Sequence, residues 1–204
     1  AYLGDLATAP RTAELVLSYH DFSGMGDDDL DAIAARMFEA GADIAKIAVT
    51  ASDAADLAII EALYQACEPY ELVAIAMGEI GLPSRLLAGA WSAAFTFARL
   101  GDDDAGSAPG QPTLRDLRKL YRVPDHGPET RIFGVLGNPV GHSLSPLIHN
   151  LAFANLDIDA VYVPFLAHDA AAFWRACASW IDGLSITIPH KTALMDQLDG
   201  CEDM

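Results

Sequence analysis

The sequence is short of positive charge, of lysine and of cysteine. Its 204 residues include 12 Lys or Arg against 29 Asp or Glu, a formal net charge of −17. That excess argues against nucleic acid or an anionic membrane as a partner, because both need a basic face. It also means that any anionic small molecule must be held by a few well-placed cations. The three cysteines, Cys67, Cys177 and Cys201, are far apart and odd in number. No CxxC or Cys/His cluster is present, so neither a metal site nor a disulfide framework is expected, and a reducing compartment is the simple reading. The longest nearly apolar run, Leu86 to Ala98, has 13 residues. A membrane-spanning helix needs roughly 18 or more, so the run reads as buried core. Neither GxGxxG nor GK[ST] occurs, which removes the common dinucleotide and P-loop signatures. The chain opens on Ala1 with no signal peptide and closes on Met204 with no evident final element. Both ends read as cut, so a missing targeting segment says little.

What is present is an alternation of strand and helix. Apolar β-rich stretches at Leu15–Tyr19, Asp43–Val49, Leu72–Ala76 and Phe95–Arg99 predict strands. Between them, Leu30, Ile33, Ala34, Met37 and Phe38 follow helical spacing after an acidic cap at Asp27 to Asp29. A second helix is expected behind a Ser52 cap, a short one at Leu86–Ala94, and an amphipathic one at Thr113–Tyr121. Such alternation implies an α/β fold with a parallel sheet. Its repeat length suits a (β/α)8 barrel, but eight repeats need about 250 residues. Residues 1–122 therefore read as the C-terminal half of a TIM barrel. Val123 to Thr130, rich in Pro, Gly and charge, reads as a linker. The pattern then restarts over 131–204, with strands at Ile132–Leu136, Val161–Phe165 and Leu184–Ile188. Helices are expected at Pro146–Asn155, at Ala170–Trp180 and from about His190.

In the first segment the polar residues gather at one end of the expected sheet. His20 and Asp21 end strand one, Arg85 follows strand three, and Ser107 and Gln111 follow strand four. Barrel enzymes build their sites at that end. Lys46 interrupts an otherwise apolar strand. Burial of an ammonium is costly and lowers its pKa, which yields the free amine that attacks ketones. The plainer reading, a snorkelling or edge-strand lysine, loses ground because a histidine suited to proton transfer lies one strand away. Asp21 reads as a turn residue.

The stretches SYHDF, GADIAKIAV, MGEIGLPSR and SAPGQPTLRDL, in that order, resemble type I 3-dehydroquinate dehydratase over about residues 12–122. The resemblance implies metal-free dehydration of 3-dehydroquinate to 3-dehydroshikimate. It makes Lys46 the imine-forming residue and His20 the proton shuttle, with Arg85 on the substrate carboxylate. Ser107 and Gln111 would bind hydroxyls or carboxylate, and Phe97 would line the pocket. The family also uses acidic and arginine residues on strands that would precede Ala1. Negligible turnover is therefore expected of residues 1–204 by themselves.

In the second segment, GNPVGHSLSP forms a glycine-rich turn into a helix, with Ser145 and Pro146 as cap and first helical residue. Ser143 is not explained by capping, and two hydroxyls at a helix N-terminus suit a carboxylate. Lys191 would sit in a first helical turn, where the helix dipole disfavours a cation. GNPVGHSLSP followed by SITIPHK resembles the substrate-binding domain of shikimate dehydrogenase over about 131–200. That likeness assigns Ser143 and Ser145 to the shikimate carboxylate, Thr187 to a ring hydroxyl and Lys191 to catalytic proton transfer. It places the NADP-binding domain outside residues 1–204.

Together the two resemblances imply successive steps of the shikimate pathway: dehydration of 3-dehydroquinate, then NADPH-dependent reduction of 3-dehydroshikimate to shikimate. The expected partners are these small molecules and no macromolecule. The cytoplasm is the expected location, or the plastid in a plant. Two alternatives stay open on the residues alone: another lysine-imine lyase of aldolase type, and a non-catalytic ligand-binding module.

Overall fold

The computed structural model describes residues 12–25, 29–101, 106, 108 and 110–195. It contains two three-stranded parallel sheets. The first is built from β1 (Val16–Asp21), β2 (Ile44–Thr50) and β3 (Glu71–Met77), in the order β1-β2-β3. Helices α1 (Leu30–Glu39) and α2 (Leu57–Cys67) connect them, and α3 (Leu82–Leu86) follows β3. The second has β4 (Arg131–Gly137) at the centre, flanked by β5 (Ala160–Leu166) and β6 (Gly183–Ile186). Its helices are α4 (Ser145–Asn155) and α5 (Ala170–Cys177).

Side chains alternate between the two faces of each strand. On one face of the first sheet, Ala45, Ile47, Val49, Leu72 and Ala74 pack against the helices. On the other, Ile44, Ala48, Val73, Ile75 and Met77 form a small separate cluster roofed by Ala94 and Phe97. Lys46 lies on this second face, registered with Ser18 of β1 and Val73 of β3. β2 is the central strand and is buried almost throughout, whereas β1 alternates between exposed and half-buried residues.

The two sheets share one core. Ile132, Leu136, Val163 and Phe165 of the second sheet join the helix-side cluster of the first. Trp91 meets Trp180 edge-on at 5.4 Å. α5 packs on the turn at Ala54–Asp56, where Cys177 Sγ reaches the Ala54 carbonyl at 3.8 Å. The join at Val123–Thr130 is packed and not a loose tether. A 3-10 turn spans Val123–Asp125 with Val123 buried, and His126 Nε2 hydrogen-bonds the Tyr121 carbonyl at 2.9 Å. Thr130 Oγ1 accepts from the Gly127 amide and donates to Asp159 at 2.7 Å. Gly89 lies directly beneath the join: a Cβ there would fall 2.2 Å from the Val123 carbonyl oxygen.

Several expected elements change. Phe95–Arg99 is not a strand. It touches its neighbours through the Ala94 amide on Leu72 O and one parallel bridge between Arg99 and Thr113. The segment forms no continuous ladder with a neighbouring strand, and the Arg99 guanidinium binds the Gln111 and Gly101 carbonyls. The expected helix at Leu86–Ala94 does not form: α3 spans Leu82–Leu86, with Pro83 in its first turn, and residues 87–92 are turns. Turns carry the chain onward to Ser92, whose φ of 57° ends them. Ser52 is not a cap: Asp53 caps the turn before α2, and Ser52 donates through its amide and hydroxyl to Asp56. Asp29 caps α1 by accepting the Ala32 amide; Asp27 and Asp28 lie outside the described residues. Thr113–Tyr121 is a helical segment whose Asp116–Leu120 part is π-helical. Of the helix expected from about His190, the described residues 191–194 form turns, and residues 196–204 lie outside the described ones. Among the described residues, no helix is long and apolar enough to cross a membrane.

Candidate active site

Register decides which polar side chains meet. His20 lies two residues beyond Ser18, the partner of Lys46, so it projects from the same face of the sheet, one strand over. Lys46 Nζ and His20 Nε2 are 2.6 Å apart. The Lys46 ammonium also lies 5.4 Å from the Phe97 ring centroid, and Phe22 stacks on the His20 imidazole at 6.1 Å. Phe22 has no counterpart in the sequence reading; an exposed aromatic two residues past a strand-end histidine was its only signal.

The electrostatics shift Lys46 toward its neutral form. Burial lowers its pKa, and the Arg85 guanidinium lowers it further. His20 is lowered as well, by burial first and by Lys46 second. Lys46 thus disfavours a positive charge on the neighbouring His20. Arg85 is 2 % exposed and its Nε has no hydrogen-bond partner. Burial pushes its pKa down to about 10, which still leaves it charged at neutral pH. A buried guanidinium with an unsatisfied donor is costly unless an anion pairs with it. It sits on α3, which Ser84 anchors to β3 through hydrogen bonds with the Ala76 amide and the Gly81 carbonyl. Gly81 permits this close turn, since a Cβ there would fall 2.1 Å from Ala76 O.

The loop bearing Gln111 closes over the end of β3. At Gly110, with φ of +75°, a Cβ would meet the Gly78 carbonyl oxygen at 2.2 Å. Gly106 leaves room for the Gln111 side chain, which is buried. Ser107 lies outside the described residues. Asp21 behaves as the expected turn residue, accepting from the Ser23 amide and hydroxyl at 2.7 and 2.5 Å.

In the second segment the serine roles are exchanged. Leu144 occupies the N-cap position and Ser145 is the first helical residue. It is Ser143 whose Oγ accepts the Ser145 amide, at 3.3 Å, so the Ser145 hydroxyl is released from capping. Thr187 packs where Gly137 leaves space, 2.4 Å from the position of a missing Cβ, and its amide donates to Leu136 O. Lys191 is exposed and lies in a turn. Its neighbour His190 is buried and anchors that turn on the Ala167 carbonyl at 2.9 Å.

A side chain of the first segment ties it to the second. Asp53, just beyond β2, accepts the His168 and Asp169 amides at the start of α5. His168 Nδ1 in turn contacts Asn138 of the glycine-rich loop at 3.0 Å. No sequence pattern marked Asp53, because its partners are 115 residues away.

The described residues do not fit a dinucleotide. Gly134 and Gly137 are filled by strand neighbours, with Phe165 and Thr187 within 2.3 and 2.4 Å of the absent Cβ atoms, so neither leaves backbone open to a pyrophosphate. No group of three or more His, Cys, Asp or Glu side chains among them is placed to hold a metal.

Comparison with known proteins finds likenesses along both parts of the chain. Residues 135–204 match the shikimate dehydrogenase substrate binding domain. The chain is 40 % identical over 192 residues to the chloroplastic bifunctional 3-dehydroquinate dehydratase/shikimate dehydrogenase of Arabidopsis thaliana, covering 93 % of this chain and 32 % of that protein. It thus spans about a third of that relative's length. The NADP(+) shikimate dehydrogenase of Bacillus mycoides is 47 % identical over 72 residues, 34 % of this chain and 26 % of that protein. The crystal structure of 3-dehydroquinate dehydratase from Geobacillus kaustophilus superposes with a TM-score of 0.53 at 30 % identity, over 61 % of this chain and 49 % of that one. Residues 5–128 match the type I 3-dehydroquinase model, and the chain belongs to that family.

Proposed function

We propose that the first segment dehydrates 3-dehydroquinate to 3-dehydroshikimate through an imine on Lys46, and that the second binds the product for reduction to shikimate. The Lys46–His20 contact of 2.6 Å carries the first half of this reading. Neutral Lys46 attacks the substrate ketone and water leaves, forming an iminium. The iminium acidifies the adjacent carbon, and His20 takes its proton. Protonated His20 then returns that proton to the departing hydroxyl, which leaves as water. Hydrolysis of the imine restores Lys46 and frees the enone. Arg85, buried and lacking a partner for Nε, suits the substrate carboxylate, with Gln111 and Ser107 binding beside it.

The fold that supports these roles is the C-terminal half of a (β/α)8 barrel over residues 1–122, joined through 123–130 to the start of a shikimate dehydrogenase substrate domain over 131–204. In the second segment Ser143 and Ser145 would hold the shikimate carboxylate, Thr187 a ring hydroxyl, and Lys191 would transfer the proton. The hydride would come from NADPH held by a domain other than these residues. The cytoplasm, or the plastid in a plant, suits both substrates.

Borohydride trapping of the full-length gene product separates this reading from an aldolase. A covalent adduct on Lys46 with 3-dehydroquinate, and none with a sugar phosphate, is the expected result. An unmodified Lys46 would end the proposal.

A further inference from the structure

A chain of hydrogen bonds runs from Asp53, in the first segment, to the residue beside Lys191 in the second. Asp53 is itself firmly held. Its amide donates to Asp56 Oδ2 at 3.2 Å in a capping box, next to the fully buried Ala54. Its Oδ1 accepts the Ala55 amide within its own turn. The other oxygen, Oδ2, accepts the His168 and Asp169 amides at 2.8 and 3.4 Å. Those amides stand at the entry to α5, of which Asp169 is the N-cap. No preceding helical turn offers them a carbonyl there, and the helix dipole favours an anion.

The next link is the residue before His168. Ala167 is fully buried, and its amide donates to Gly137 O of β4 at 3.3 Å. Its carbonyl meets His190 Nε2 at 2.9 Å. A carbonyl can only accept, so the ring proton of His190 sits on Nε2. His190 is 8 % exposed, and its amide closes its turn on Thr187 O at 2.8 Å while its carbonyl accepts the Ala193 amide at 2.9 Å. Lys191 follows directly, with its side chain exposed. A long flexible side chain that is not packed depends on its backbone for the region its ammonium can reach.

We propose that Asp53 is a positioning residue for the second reaction: by fixing the turn at Ala167–Asp169 it holds the Ala167 carbonyl and, through His190, the backbone that carries Lys191. The inference rests on the reading of Lys191 as the proton-transfer residue. Proton transfer needs heavy atoms about 2.6–3.2 Å apart, and a misplacement of about 1 Å from a distant change can cost about 10²-fold. A carboxylate of the first segment thus sets the geometry of a site to which it contributes no contact with substrate.

The test measures both reactions on one sample of the full-length gene product. Asp53→Ala should lower kcat for NADPH-dependent reduction of 3-dehydroshikimate about ten-fold. It should leave KM for NADPH and the dehydration of 3-dehydroquinate as in wild type. His190→Phe keeps a ring in place but breaks the same path further along, so it should lower the same kcat. The double variant should then be no slower than the slower single, because both changes interrupt one connection. An unchanged reduction rate in Asp53→Ala, a parallel fall of both activities, or losses that simply multiply in the double variant overturns the inference and leaves Asp53 as a structural cap. Unchanged reduction in Lys191→Ala would instead defeat the reading of Lys191, which is a different result.

Discussion

Lys46 Nζ and His20 Nε2 lie 2.6 Å apart on neighbouring parallel strands, on a face shared with Phe97. The contact depends on a diagonal: Lys46 registers with Ser18, and His20 is the next residue of β1 on that face. A slip of one residue in this pairing would put the two groups on opposite sides of the sheet.

Lys46→Met should abolish borohydride-dependent attachment of 3-dehydroquinate while the protein stays folded. Removing a half-buried ammonium costs no packing, because methionine is nearly isosteric and fills the same space. Intact-mass spectrometry reads the adduct, and circular dichroism reads the fold.

His20→Ala should separate imine formation from elimination. Lys46 keeps its lowered pKa, since burial and Arg85 are its causes and His20 is not among them. The trapped adduct should therefore still form, while turnover falls about 10²- to 10⁴-fold, the usual contribution of a proton-transfer group. Loss of trapping along with turnover would show that His20 is needed before the elimination.

The pH dependence of trapping follows from the sign of the Lys46 shift. A lowered pKa means that the reactive amine appears at lower pH than for an exposed lysine, and its fraction rises as pH rises through that value. Arg85→Met removes the second cause of the shift while burial remains. The rise should then move to higher pH, though not fully to that of a free lysine. The same variant should raise KM for the anionic substrate more than it lowers kcat. Trapping rate against pH measures the first effect, and initial rates measure the second.

Asp53→Ala should loosen the contact between the two sheets. Its carboxylate caps its own turn through the Ala55 amide and accepts His168 and Asp169 from the other segment. Loss of such a cap costs about 1–2 kcal/mol, which denaturant titration resolves. Hydrogen exchange should quicken at His168 and Asp169 and stay unchanged in β2.

Gly81→Ala should cost more than an ordinary surface change. The new Cβ would meet Ala76 O at 2.1 Å, and a backbone atom cannot move aside cheaply. Overpacking of this kind costs about 1–3 kcal/mol. Because α3 carries Arg85, substrate affinity should fall with stability, as rates and thermal unfolding measured on one sample will report.

Much of the first site was legible without coordinates. A lysine in an apolar strand is rare enough to be seen, and helix and strand periods place His20 and Arg85 at one sheet end. The misreadings have a common origin in neighbours that are remote along the chain. Phe95–Arg99 has strand composition, but a ladder needs a neighbouring strand in register, and composition does not report that. Ser145 has the identity of a cap, yet one residue of offset gave that work to Ser143. Lys191 was expected in a first helical turn, and among the described residues it lies in a turn set by contacts of His190 with the remote Ala167 carbonyl.

The sequence by itself determined the alternation of strands and helices, the rarity of cations and the motif order that identifies the family, because these depend on residue type and spacing along the chain. Only the tertiary structure decided that Lys46 touches His20, that Arg85 is buried with an unsatisfied donor and that Asp53 joins the two segments. Those are properties of distance and burial, and distance between residues 26 or 115 apart is set by sheet register and by the packing of one shared core.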